Sequence, residues 1–124
     1  MFNDKAVFSG FSVDDLSLAE SFYGEILGLD TTRTDNGLYL QLATGGKVFV
    51  YAKSNHTPAT FTILNFPTDD IEATVKTLHE KGVTFEHYHN ITDELGIAQD
   101  NTPKIAWFKD PAGNILSVIE DTEA

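Results

Sequence analysis

A chain of 124 residues fits one domain able to bury a real core, and no apolar run in it approaches the roughly 20 residues of a membrane-spanning helix. The absence of cysteine excludes disulfide scaffolds, thiolate metal sites and a cysteine nucleophile. Nineteen Asp and Glu against eight Lys and Arg give a net charge of −11, which argues against nucleic acid or an anionic membrane as partner and favours cationic ligands by long-range attraction. Scattered along the chain, the acids also serve solubility. The first five residues lack the charged-then-apolar order of a signal peptide, so a cytoplasmic location is expected.

Residues 6–13 carry enough apolar and β-branched side chains for a first strand, with Gly10 a point of close approach. Leu16, Ala19, Phe22, Tyr23, Ile26 and Leu27 then recur at helical spacing. Asp15 or Ser17 can cap this helix, Ser17 and Glu20 fit a capping box, and Gly28 stands where a terminal glycine ends it. Short strands follow at residues 29–34, 38–43 and 47–53, separated by turns at Asp35-Asn36-Gly37 and Thr44-Gly45-Gly46. Residues 54–59 are polar, contain Pro58 and read as a linker.

After the linker the order begins again. A strand at residues 60–66 leads to a helix opened by Thr68-Asp69-Asp70-Ile71, with Ile71, Val75 and Leu78 on one face and Gly82 at its end. Residues 83–91 are strand-like, and residues 92–103 form a polar loop of a length often found in lids or binding loops. A hairpin closes the chain: apolar runs at residues 105–108 and 115–119 flank Asp110-Pro111-Ala112-Gly113-Asn114, where Pro111 fixes a corner and Gly113 or Asn114 can take positive φ. Residues 121–124 are expected to fray.

Repetition is visible in the letters. Val13-Asp14-Asp15-Leu16 aligns with Thr68-Asp69-Asp70-Ile71 at an offset of 55, Gly28 with Gly82 at 54, and Gly46-Lys47-Val48-Phe49-Val50 with Gly113-Asn114-Ile115-Leu116-Ser117. The expectation is an α+β fold of two βαβββ modules within one domain, at about residues 1–55 and 60–124.

Those modules, the Asp-Asp-Leu helix start followed by Phe22-Tyr23 and Leu27-Gly28-Leu29, and Trp107-Phe108-Lys109-Asp110-Pro111-Ala112-Gly113-Asn114-Ile115-Leu116-Ser117 together resemble the vicinal oxygen chelate superfamily. Glyoxalase I, extradiol dioxygenases and the fosfomycin- and bleomycin-resistance proteins belong to it. The resemblance implies modules whose sheets form a curved, cupped mixed sheet around a ligand, often as a homodimer. It also implies, in metal-dependent members, four His, Glu or Gln donors on one divalent ion. Seven residues before Asp15 the first of these positions falls on Phe8, and the repeat offset carries it to Ile63. The position after each hairpin turn falls on Ser117 and on Val50, or on Phe49 with the register shifted by one. Hydrocarbon side chains have no lone pairs and a neutral serine hydroxyl is a poor ligand, so neither metal nor other cofactor is expected there.

Aromatic residues are the positive signal. If Phe8, Ile63 and Ser117 face the cup, its lining is apolar and aromatic, with Tyr39, Gln41, Tyr51, Asn65 and Ser117 as polar groups and Trp107 nearby; this composition suits a planar or amphipathic small molecule. His89 is a further candidate contact at the cup's mouth. The expected function is thus metal-independent binding or sequestration of a small aromatic or cationic molecule, similar to the bleomycin-resistance branch. The rival is a glyoxalase-like lyase or isomerase, or a dioxygenase-type enzyme, using a metal at His87 and His89 with Asp93 or Glu94, or no metal but His89 with a tyrosine. A regulatory module with a vestigial cup is the third reading. His79 tips to the solvated side of its helix and His56 lies in the linker; neither receives a role. Nucleotide-binding glycine loops and a serine-hydrolase elbow are absent from the sequence.

Overall fold

The computed structural model describes residues 1–100 and 102–121. It comprises two compact units, Met1–Pro58 and a second that begins at Ala59.

In the first unit β1 (Ser9–Val13) is followed by α1 (Leu16–Glu20), a π-helical segment (Ser21–Ile26), β2 (Asp30–Arg33), β3 (Leu38–Gln41) and β4 (Lys47–Ala52). The sheet is open, with order β1-β4-β3-β2; β1 runs parallel to β4 and the other pairs are antiparallel. Strand alternation places Val13, Leu38, Leu40, Val48 and Val50 on one side, all nearly inaccessible to solvent. Phe11 shares that side and meets the ring of Tyr23 at 5.8 Å, so this is the face the helical segment covers. Asp15 is the cap: its carboxylate accepts the Leu18 N–H at 3.1 Å, which decides between the two caps open in the sequence. Beyond Glu20 the turn widens, with the Leu27 N–H reaching the Phe22 carbonyl, and the neighbouring rings of Phe22 and Tyr23 are both buried. Gly28 then takes φ 77° and ends the helix.

The second unit repeats the plan: β5 (Thr62–Thr68), α2 (Ile71–Glu80), β6 (Ile97–Ala98), β7 (Ile105–Lys109) and β8 (Ile115–Glu120), in the order β5-β8-β7-β6. Again the outer parallel pair, β5 with β8, mirrors β1 with β4. Asp70 caps α2 through the Ala73 N–H at 3.1 Å, and Ile71 and Val75 sink into the core beside Val83, Phe85 and Phe108.

Residues 83–91 do not form the expected strand. They contribute one bridge, Phe85 with Phe108, and one backbone bond from the Glu86 N–H to the Trp107 carbonyl at 2.8 Å. The chain then turns: Asn90 adopts φ 63° and the Tyr88 N–H is taken by the Thr92 hydroxyl at 2.8 Å. The second-strand position is filled by β6, inside the stretch expected to be loop. Asp93 holds that stretch in shape, with Oδ1 accepting the N–H groups of Leu95 and Ile97 and Oδ2 accepting from Gln99. Gly96 lets it close on its neighbour, since a Cβ there would sit 3.0 Å from the Phe85 Cβ.

The closing hairpin turn is built from buried polar atoms. Asp110 Oδ1 accepts the N–H groups of Ala112 and Asn114, and Oδ2 accepts the Asn114 amide at 3.0 Å. Asn114 Oδ1 in turn accepts the Ala59 N–H at 3.1 Å, tying the turn to the start of its unit. Of the tail expected to fray, Asp121 is tied down, its N–H donating to the Thr68 carbonyl at 2.7 Å, and residues 122–124 lie outside the described residues. Among the described residues no helix is long and apolar enough to cross a membrane.

Candidate functional site

Each sheet has one face under its helix and one open face. On the first sheet the pairings Gly10 with Phe49 and Tyr39 with Phe49 put these residues on the open face, and alternation adds Lys47 and Tyr51. Four rings adjoin there: Tyr39 and Phe49 at 4.9 Å, Phe49 and Tyr51 stacked at 5.9 Å, and Phe8 edge-on to Tyr39 at 6.2 Å. The Lys47 ammonium lies 4.7 Å from the Tyr39 ring centre and 5.2 Å from that of Phe8. Gln41 stands at the edge of the same face, paired with Lys47 and Asp30. Glycines let the rings approach the backbone: a Cβ on Gly37 would fall 2.9 Å from the Phe49 ring and 2.5 Å from the Val50 carbonyl.

Val50 lies on the other side, fully buried against Leu38 and away from Tyr51 and Phe49. Register explains this. Phe49 pairs with Gly10 and Ser117 with Asn65, and Gly10 and Asn65 stand one repeat apart, so the counterpart of Ser117 is Phe49.

On the second sheet Ser117 sits between Asn65 and Trp107, wholly shielded from solvent, and its hydroxyl donates to Asn65 Oδ1 at 2.5 Å. Ile63 falls where the β5 to β8 register slips between Thr62 and Leu64. Trp107 meets Tyr88 edge-to-face at 5.7 Å and lines a groove of about 260 Å³ with Thr60, Phe61, Thr62, Tyr88, Ile91 and Ile115. His89 is exposed in the turn after Tyr88 and does not line that groove.

Sequence reasoning missed Lys47, although its spacing from Phe49 and Tyr51 already placed it on their face. It also missed Phe61, which directly precedes β5, and Tyr88 and Ile91, whose approach to Trp107 depends on a turn that local hydrogen bonds create.

Phe8, Phe49 and Ile63 offer no lone pair, and the Ser117 hydroxyl is engaged with Asn65, so these positions do not fit a divalent ion. His87 and His89 do not assemble a substitute: the His87 Nε2 is 3.0 Å from the Glu94 carbonyl oxygen, and the Asp93 carboxylate is occupied by its own loop. Among the described residues no group of three or more His, Asp or Glu is placed to hold a metal.

A model of the Glyoxalase/Bleomycin resistance protein/Dioxygenase superfamily matches residues 7–118. The chain belongs to this superfamily. Solved structures with the same fold include a glyoxalase family protein from Enterococcus faecalis, with TM-score 0.70, 21% identity, and 97% of this chain and 100% of that one covered. An antibiotic binding protein from a Streptomyces species superposes with TM-score 0.67 at 22% identity over 97% of this chain and 98% of that one. A lactoylglutathione lyase from Agrobacterium tumefaciens gives TM-score 0.67 at 20% identity, covering 98% and 97%. No curated protein matches the sequence. At these identities the superpositions establish the fold, which in this superfamily hosts binders and enzymes alike.

Proposed function

We propose that this member of the superfamily binds a small planar organic cation without a metal, holding it against an aromatic sheet face. One observation carries the reading. Where a metal-dependent relative needs a donor after the first hairpin turn, this chain has Phe49, set in a row of rings with Phe8, Tyr39 and Tyr51. Two of these rings, Phe8 and Tyr39, already take a cation, the Lys47 ammonium, so a flat cationic ligand would exchange one favourable contact for a larger one. Each ring-to-cation contact contributes about 0.5–2 kcal/mol, depending on how far the site is dried. The net charge of −11 draws such ligands in. The antibiotic-binding relative shows that the fold can serve as a binder.

Calorimetric titration of EDTA-treated protein with acridine orange, a planar cation, and anthracene-9-carboxylate, a planar anion, tests the proposal. Binding of the dye at least about tenfold tighter than of the anion, weakened about tenfold by Phe49→Ala, is expected. Failure of both compounds to bind, or binding that appears only after a divalent metal is restored, contradicts it.

A further inference from the structure

The second unit has a cavity on its other side. It measures about 320 Å³ and lies between the helix α2 and the turn-rich stretch after Phe85, on the flank away from the Trp107 groove. Val75 and Phe85, both almost fully buried, form an apolar floor with Leu95. Two carboxylates, Glu80 on the last turn of the helix and Glu94 on the opposing stretch, stand on the two walls.

We infer that this cavity is a second ligand site, and that it takes a protonated organic amine carrying a compact apolar tail. Size and lining match a small amphipathic molecule: a cavity of a few hundred Å³ with an apolar floor can seat a compact tail, and the rim of Lys76, His79, Glu80, Thr84, His87 and Glu94 can meet a polar head. Charge selects the cation. The carboxylates of Glu80 and Glu94 outnumber the one ammonium of the lining, Lys76, with the imidazoles of His79 and His87 beside them, and neither carboxylate is in an ion pair among the described residues.

The opposing wall is preorganised. Asp93 fixes the stretch through three accepted bonds, and the His87 ring is held against the Glu94 carbonyl at 3.0 Å. A ligand therefore meets a formed wall and does not have to order it.

Amide chemical-shift mapping with 4-phenylbutylamine, and with 4-phenylbutyrate as the anion of matching tail, tests the inference. For a probe of this size a dissociation constant on the order of 1 mM is expected. Shifts should concentrate at residues 75–80, 84–87 and 94–95, with the amine at least about fivefold tighter than the acid. Glu94→Gln should weaken the amine about fivefold, Thr84→Trp, which fills the cavity from an exposed position, should abolish its shifts, and Glu72→Gln on the same helix should change nothing. The inference is overturned by no shifts at 10-fold excess over that constant, by equal response to amine and acid, or by shifts confined to Trp107 and Ile115. Because the aromatic face is read separately through Phe8, Tyr39, Phe49 and Tyr51, either site can fail without the other.

Discussion

The two units share a scaffold and differ on its open face. Both have four strands in equivalent order with an outer parallel pair, and both begin their helix with an aspartate whose carboxylate accepts an N–H three residues on, at 3.1 Å in each case. Val48 and Val50 in one unit and Leu116 and Val118 in the other are buried alike. Yet the middle position between them is Phe49 in a row of rings in the first unit, and in the second Ser117, sealed beside Asn65 and Trp107. The helix-facing side is constrained by close packing, which punishes changes of volume. The other side is free of that constraint, and it is there that the copies have diverged.

The turn of the second unit gives the largest test of this division. Asp110→Ala removes the acceptor of three hydrogen bonds in a buried turn and should destabilise the protein by about 3 kcal/mol in urea denaturation. Such a loss means that the conspicuous Asp-Pro-x-Gly-Asn motif is architectural; a loss below about 1 kcal/mol would break the comparison, by freeing the motif for a role in binding.

Gly37→Ala should come next, at about 2 kcal/mol, because the added methyl must displace the Val50 carbonyl and the Phe49 ring. It should also weaken dye binding, whereas the denaturation slope stays unchanged. Smaller effects sharpen the symmetry of the copies. Asp15→Ala and Asp70→Ala should each cost about 1 kcal/mol, and a marked inequality would show that the widened helix of the first unit shifts stability away from its cap. Ser117→Ala should likewise cost about 1 kcal/mol, by leaving Asn65 without its donor, and should leave dye binding intact.

Much of this was legible in the sequence because local chemistry and periodicity agreed. Asp15, Gly28, Asp70 and Gly82 punctuate the helices as their side chains and freedom at positive φ dictate, and the duplicated helix start revealed the two modules. Register was less legible. Aligning Gly46 with Gly113 put Val50 opposite Ser117, but the two turns feed their strands one residue apart, and in a pleated sheet a slip of one residue exchanges the faces. Residues 83–91 misled for a different reason. Phe85, His87 and His89 alternate like a strand, but Thr92 and Asp93 capture the backbone N–H groups of the following turn, and the ladder stops after Glu86. That turn brings Tyr88 and Ile91 to Trp107, a contact that no local pattern announces.

We propose that an aromatic face stands where metal-dependent relatives place donors to an ion. The most direct test is the ring-proton spectrum of EDTA-treated protein titrated with acridine orange. Upfield shifts of the Phe8, Tyr39, Phe49 and Tyr51 rings that saturate with the dye, and that do not change when zinc, nickel or manganese is added, are expected. Silent rings, or ring shifts that require one of those metals, would contradict it.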